Sequence, residues 1–226
     1  MMNQTMSYSI RVWDLPTRVF HWALLVGVLG LVATAQFGGE AMEWHFRCGY
    51  AVLSLLLFRL IWGVVGGYWS RFASFLYSPA TLLRYMKGQR SPEQSIGHSP
   101  LGAVSVFALL GFLLLQAVSG LISDDEIAAA GPLVKFVSSV TVHFATFYHK
   151  DIGKLILIGL VMLHIGSVLF YLVRKNQNLV RPMAHGDKQT SIKTKSSRDD
   201  GRSRTLALAV FVGCAALVAW LVQLAA

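Results

Sequence analysis

The sequence predicts an all-α integral membrane protein, in which a four-helix transmembrane bundle is followed by a fifth, C-terminal transmembrane helix. Hydrophobic residues make up 54% of the chain and charged residues only 14%, a balance far from that of soluble domains. Each of five apolar windows supplies close to the ~20 residues that cross a bilayer. These windows are 19–37, 45–66, 101–122, 152–173 and 205–225.

The basic residues are concentrated on one side of the predicted membrane. With a cytoplasmic N-terminus, that side carries six of them at 11–18 and 71–90 and nine from Arg174 to Arg204, together 15 of the 20 Lys and Arg. This positive-inside pattern predicts a multi-pass protein of the bacterial inner membrane with a periplasmic C-terminus. The basic residues behind the net charge of +9 are then expected to contact membrane lipid, and nucleic acid is excluded as a partner.

Local signals place the boundaries between the predicted helices. Leu15-Pro16 is a favourable helix start, because proline fits the first turn, and Ser78-Pro79 predicts a short amphipathic helix in the loop 67–99. The stretch 185–204 is basic and rich in Ser, Thr and Asp, which is typical of a flexible linker. We therefore expect a membrane domain over 1–184, a cytoplasmic linker over 185–204 and a packing or partner-docking helix over 205–226.

Four histidines lie within or at the rim of these apolar windows, namely His21, His45, His149 and His164. An ionisable ring is costly inside a membrane and marks a functional site, unless it serves only as a hydrogen-bond donor between helices. The predicted topology places His45 and His149 at the periplasmic rim, and His21 and His164 toward the cytoplasmic leaflet. The expected pairs are therefore His45 with His149 outside and His21 with His164 inside.

The spacing along the fourth window allows one helix to serve both pairs. His149 and His164 are 15 residues apart, which places them roughly 22 Å apart in depth and on roughly the same helix face. Two bis-histidine pairs in one bundle predict two b haems. Because both axial positions are filled, electron transfer is favoured over oxygen chemistry. His143 is the alternative outer ligand if this helix starts earlier than the hydropathy indicates.

Small and polar residues near the histidines extend the predicted cofactor site. Gly49 and Gly153 each follow a histidine by four residues on the same helix face, where a missing side chain leaves room for a flat porphyrin. Arg59 lies deep in the second window, where a guanidinium requires an anion such as a haem propionate; snorkelling toward the headgroups is the alternative. Gln116 is expected to bridge helices rather than bind quinone, and His98 and His185 are expected to be surface or capping residues on cytoplasmic loops.

The residues also resemble a known family. The run Val12-Trp13-Asp14-Leu15-Pro16-Thr17-Arg18-Val19-Phe20-His21-Trp22 is similar to the opening signature of the bacterial cytochrome b561 family, which includes b-type cytochrome subunits of nickel–iron hydrogenases. Further matches, within a span of 11 to about 188, are Arg59-Leu60-Ile61-Trp62-Gly63, Ser70-Arg71-Phe72, Gly97-His98-Ser99-Pro100-Leu101-Gly102, His164-Ile165-Gly166 and Asn178-Leu179-Val180-Arg181-Pro182-Met183.

The resemblance implies a four-helix core that exchanges electrons with membrane quinone. It also implies two b haems bound through histidines of the first, second and fourth helices, which are here His21, His45, His149 and His164. In the family the two histidines of the fourth helix are commonly fourteen residues apart, whereas here the spacing is fifteen. The additional residue keeps His143 open as the outer ligand.

Taken together, the sequence predicts a di-haem cytochrome that passes electrons between the quinone pool and a periplasmic partner, either a c-type cytochrome or a hydrogenase-like enzyme. No nucleotide motif or catalytic constellation is recognisable, so we expect an electron-transfer subunit of an oxidoreductase complex. Two alternatives stay open. A stand-alone superoxide:quinone oxidoreductase would favour basic outer loops, whereas these are acidic, and a haem-free anchor or transporter would show no haem absorption.

Overall fold

The computed structural model describes residues 7–125 and 129–225, and helices dominate this part of the chain. The helices are α1 (Leu15–Phe37), α2 (Ala41–Val65), α3 (Pro79–Met86), α4 (Pro100–Leu121), α5 (Ser139–Phe147), α6 (Lys154–Arg174), α7 (Val180–His185) and α8 (Gly201–Ala225). Two short strands are β1 (Tyr8–Arg11) and β2 (Asp187–Thr190). A π-helical turn, Tyr148–Gly153, joins α5 to α6.

Five helices within the described residues are long and apolar enough to cross a membrane, and they coincide with the five predicted windows. The fourth helix extends well before its apolar window, because it runs continuously over Ser139–Arg174, which is the earlier start that the sequence left open. Large apolar side chains on these helices are widely exposed, for example Val26 at 69% and Met162 at 64%. Such extensive apolar surface is stable against lipid tails rather than water.

The chain divides into two compact units. The first contains the described residues up to Val19, together with Leu60–Phe107 and His164–Leu208. The second contains Phe20–Arg59, Ala108–Leu163 and the described residues from Ala209.

A buried carboxylate organises the first unit. Asp14 is fully buried and immediately precedes α1, where the N–H groups of the first turn require acceptors. Its oxygens accept four hydrogen bonds at 2.9–3.2 Å, from Thr17 N–H, Gly67 N–H, Ser70 Oγ–H and Trp62 Nε1–H. The start of α1 is thereby tied to the end of α2 and to the turn that follows it.

The segment that follows α7 is ordered, so the expectation of a flexible linker over 185–204 is wrong. β2 pairs antiparallel with β1, with Tyr8 opposite Thr190 and Arg11 opposite Asp187. Beyond the strand, Ser197 N–H donates to the Arg11 carbonyl at 2.7 Å. The polar composition suits this role, because the segment supplies backbone and hydroxyl partners to the otherwise unpaired N-terminal strand.

An acidic residue at the end of this segment gathers two arginines and one backbone N–H. Asp199 accepts from Arg11 at 2.9 Å, from Arg204 at 3.0 Å and from the Leu15 N–H at 3.1 Å. Burial acts to raise the pKa of the Asp199 carboxyl, but the hydrogen bonds from Arg204 and Leu15 and the nearby arginine charges outweigh burial and lower it. The carboxylate form therefore helps to hold the N-terminal lead-in against the start of α8.

His98 is half-buried in the first unit and packs against aromatic rings, whereas the sequence indicated a surface or capping residue. Its ring lies 4.6 Å from the Trp13 ring and 4.3 Å from the Phe75 ring, measured between centroids. The Tyr77 hydroxyl donates to the His98 carbonyl at 3.0 Å. An amphipathic imidazole can occupy such a site because its flat faces are apolar.

Close helix packing forms the core of the second unit. A Cβ on Gly27 of α1 would stand 2.7 Å from Val52 of α2, so the missing side chain lets these helices approach. Val52 belongs to a buried cluster with Leu56 and Leu113. Val218 of α8 joins a second cluster, with Leu53 and Leu121 as the other buried members. The C-terminal helix therefore contributes to this core, as one of its two expected roles requires.

Candidate functional site

Two of the four predicted histidines face each other in the second unit. The rings of His45, in the first turns of α2, and His149, in the π-helical turn, have centroids 6.2 Å apart and planes at 86°. Both rings are half-buried. Side chains from distant parts of the chain thus converge as the predicted outer pair.

Each ring of the pair is oriented by a neighbouring helix in the same way. His45 Nδ1 lies 3.1 Å from the Leu31 carbonyl and 3.2 Å from Thr34 Oγ1, both on α1. His149 Nδ1 lies 2.9 Å from the Gln116 carbonyl and 3.2 Å from Ser119 Oγ, both on α4. In each case a carbonyl and a hydroxyl three residues later contact the same ring nitrogen.

These contacts determine which nitrogen of each imidazole carries hydrogen. A carbonyl oxygen can only accept, so Nδ1 of His45 and of His149 must donate, and Nε2 keeps its lone pair. Histidines that bind metals characteristically donate the other N–H to a carbonyl or carboxylate, which sets the tautomer. Both rings are therefore prepared to act as neutral Nε2 ligands.

The spacing of the two rings fits a metal ion bound between them. With metal–nitrogen bonds of about 2.0–2.1 Å and ~1.1 Å more to each ring centre, two imidazoles that held one ion between them would stand about 6.3 Å apart. The observed separation is 6.2 Å. Among the described residues, no group of three or more His, Cys, Asp and Glu could hold a metal ion. Two neutral imidazoles at this spacing could hold an ion whose remaining ligands come from a macrocycle, as in a haem.

Helix α4 supplies supporting residues that sequence reasoning missed or undervalued. Gln116 also donates through Nε2 to the His149 carbonyl at 2.8 Å, which agrees with its expected role as a bridge between helices. A Cβ on Gly120 would lie 2.8 Å from His149 Cε1, so only glycine lets the ring approach α4 at this point. The isolated hydroxyls Thr34 and Ser119 on apolar helices were the available signals.

The two glycines of the predicted cofactor site have different surroundings. A Cβ on Gly49 would meet only Leu31, at 3.9 Å, which leaves space beside the helix. A Cβ on Gly153 would instead lie 2.1 Å from Gln116 Oε1 and 2.7 Å from the Tyr148 ring. The missing side chain of Gly153 therefore makes room for protein groups, and the structure does not support its assignment to a porphyrin.

The π-helical turn bears on the choice between His143 and His149. A π turn accommodates one residue more than an α turn, so the fifteen residues from His149 to His164 correspond to fourteen residues of uninterrupted α-helix. His143 is exposed and lines a cavity of about 340 Å³ with neighbours such as Asp124 and Val134. The imidazole that faces the His45 ring at 6.2 Å is that of His149.

The other predicted site residues lie on the long helices as expected. His21 is half-buried on α1, with its ring edge-on to Trp22 at 5.1 Å. His164 is half-buried on α6 and belongs to the first unit. Arg59 of α2 is buried, with 3% of its surface exposed. The pairing of His21 with His164 and the propionate role of Arg59 stay predictions.

The chain is similar to known cytochromes over most of its length. The family described as prokaryotic cytochrome b561 matches residues 12–186. A protein named probable Ni/Fe-hydrogenase B-type cytochrome subunit from Rhizobium leguminosarum bv. viciae is 23% identical over 216 residues, covering 80% of this chain and 89% of that protein. The protein of the same name from Azotobacter vinelandii is 25% identical over 214 residues, covering 79% and 88%. No solved structure matches the chain significantly.

The family match spans the buried Asp14 network, all four candidate histidines and α7, and therefore most of the chain. It implies a membrane-embedded b-type cytochrome that carries electrons on haem b, and the His45–His149 pair is suited to that cofactor. The chain belongs to the prokaryotic cytochrome b561 family.

Proposed function

We propose that this chain is a di-haem b-type cytochrome that passes electrons between the membrane quinone pool and a periplasmic redox partner. The facing imidazoles of His45 and His149, 6.2 Å apart, carry this proposal. Their Nδ1–H groups are engaged by carbonyls, so both Nε2 atoms are available as the axial ligands of an outer haem. Bound haem supplies a one-electron iron couple whose potential depends on its ligands and burial.

His21 and His164 are the proposed ligands of a second, inner haem. Their assignment rests on their depth in α1 and α6 and on the resemblance of their flanking residues to the family motifs. Arg59 is buried in a membrane-spanning helix, where a carboxylate such as a propionate would offset the cost of its charge. Gly49, with space beside it, is the glycine we assign to the cofactor site.

The partner is proposed to be a hydrogenase-like enzyme or a c-type cytochrome. Relatives from three genera, including Rhodobacter capsulatus, are named as probable Ni/Fe-hydrogenase B-type cytochrome subunits. The positive-inside pattern of Lys and Arg supports an inner-membrane protein with a cytoplasmic N-terminus. In that orientation the His45–His149 pair lies at the periplasmic rim, where a periplasmic partner can exchange electrons with it.

The test of this function is reduction by quinol in purified protein. We expect a reduced b-type absorption spectrum, about two haems per chain and reduction by a soluble quinol. The proposal would be contradicted if the chain bound only one haem. It would also be contradicted if two haems were bound but no quinol reduced either of them. Rapid reduction of quinone by superoxide, without a partner protein, would instead favour the stand-alone oxidoreductase.

Gly120→Ala is expected to disturb the outer haem site without removing a ligand. The added methyl would lie 2.8 Å from His149 Cε1, so the ring must move and its bond to the Gln116 carbonyl must lengthen. Loss of outer-shell support typically weakens metal binding by about tenfold or more. The measurements are haem affinity, from titration of haem into apoprotein, and the electron paramagnetic resonance g-values of the oxidised protein.

Gly111→Ala is the matched control, because nothing lies within 4 Å of a Cβ at that position of the same helix. It should leave both the haem affinity and the g-values unchanged. If Gly120→Ala behaved like Gly111→Ala in both measurements, the proposed support of His149 by α4 would be wrong.

A further inference from the structure

A basic groove lies in the first unit where α2 ends. Its cavity volume is about 530 Å³, and its walls are the residues Val65–Tyr68, Arg71 and three residues of the segment after β2, Lys195, Ser196 and Arg198. Because α2 has the length and hydropathy of a membrane-spanning helix, this groove lies at a membrane interface. The aromatic residues Tyr68 and Trp69 beside it are typical of that level.

Two cations of the groove converge on one aromatic ring. The Arg71 guanidinium carbon lies 5.6 Å from the Tyr68 centroid, and Lys195 Nζ lies 5.5 Å from it. Within the part of the chain that the structure describes, neither cation makes an ion pair, whereas Arg198 is paired with Asp200 at 2.8 Å. Both positive charges line the same groove, so an anion bound there would offset their repulsion.

The backbone that carries Lys195 is held in place by buried groups. The Trp69 indole N–H donates to the Lys195 carbonyl at 2.8 Å, and the Trp69 backbone N–H donates to Ser197 Oγ at 3.1 Å. Ser197 Oγ in turn donates to the Val12 carbonyl at 2.8 Å. The groove is therefore formed on folding, and a ligand does not have to order this segment.

An exposed apolar surface on the last turn of α2 adjoins the groove. Val64 is 69% exposed and Val65, which also lines the groove, is 51% exposed. A free phosphate ion would gain nothing from this surface, whereas an acyl chain would bury it. Asp14, behind Gly67, is fully buried and already accepts hydrogen bonds from Gly67 and Ser70, so it does not compete for the two cations.

We propose that this groove binds the phosphate headgroup of an anionic phospholipid. Arg71 and Lys195 contact the phosphate oxygens, and Val64 and Val65 contact the first part of an acyl chain. Basic clusters beside membrane helices recognise anionic lipids in this way. The proposal does not depend on the cofactor of the second unit.

The experiment is native mass spectrometry of the full chain, released from detergent and titrated with phosphatidylglycerol, phosphatidylcholine or inorganic phosphate. The double variant Arg71→Gln/Lys195→Gln should bind phosphatidylglycerol about tenfold or more weakly than the unmodified protein, because each basic residue at a membrane surface contributes about fivefold. The control Arg84→Gln/Lys87→Gln removes the same charge from exposed positions on and next to α3 and should bind like the unmodified protein.

Each outcome supports or overturns the lipid assignment. Equal binding of phosphatidylcholine would show that headgroup charge is not recognised, and equal occupancy by inorganic phosphate would reduce the groove to a simple anion site. Equal weakening in both double variants would mean that net charge, rather than this groove, attracts the lipid. Melting temperatures in neutral detergent verify that each variant is folded. With Arg71 left in place, Lys195→Gln should weaken phosphatidylglycerol binding, whereas Lys195→Arg, which keeps the charge, should bind like the unmodified protein.

Discussion

His149→Ala is expected to lower the haem content of the purified protein from about two per chain to about one, with the inner haem retained. The reason is the facing geometry of His45 and His149, whose rings are 6.2 Å apart, because a low-spin bis-histidine site requires both rings. The pyridine haemochrome assay gives the ratio, and redox titration shows which of two midpoint potentials disappears. His164→Ala should remove the other haem and leave the outer midpoint.

Two further variants make this prediction specific. His143→Ala should keep both haems, because the exposed His143 ring lies in a separate cavity with Asp124 and Val134. His149→Met should keep the outer haem but raise its potential, since a thioether can replace an imidazole as an axial ligand. If His143→Ala lost a haem while His149→Ala kept two, the ligand assignment would be reversed.

Asp14→Ala is expected to destabilise the protein by about 4 kcal/mol or more, the second large effect. The substitution leaves the donors of Thr17, Trp62, Gly67 and Ser70 without their common acceptor. Each buried donor that loses its partner costs about 1–3 kcal/mol. For a chain of this length we expect the melting temperature in detergent to fall by about 10 °C.

Asp187→Ala provides the matched control for this substitution. Asp187 also forms an ion pair, with Arg11 at 2.7 Å, but 45% of its side chain is exposed. Exposed pairs contribute about 0–1 kcal/mol, so the melting temperature should change little. Similar melting temperatures for Asp14→Ala and the unmodified protein would show that the buried network does not stabilise the first unit.

The Asp14 network explains why the opening motif contains residues that contact no proposed ligand. Val12, Trp13 and Asp14 are all buried, and Asp14 receives hydrogen bonds from Trp62 and Ser70. The second and third matched stretches, which contain Trp62 and Ser70, are therefore structural partners of the first. Sequence inspection located these stretches but not their mutual contacts.

At the candidate ligand pair, too, the sequence indicates the positions of the residues but not their contacts with other helices. The depth of His45 and His149 in apolar helices follows from the chain alone. Their orientation depends on the Leu31 and Gln116 carbonyls of other helices, and nothing local to either histidine indicates those partners. The close approach of His149 to Gly120 is likewise a consequence of how α4 packs.

The sequence by itself determined the membrane class, the five helices and the identity of the histidine candidates, because helix length and apolarity depend only on a segment's own residues. The tertiary structure alone decided two further features: the order of the segment after α7 and the hydrogen bonds that orient the His45–His149 pair. Each of these depends on contacts between residues far apart in the chain, and such contacts leave no periodic signal in the residues that make them.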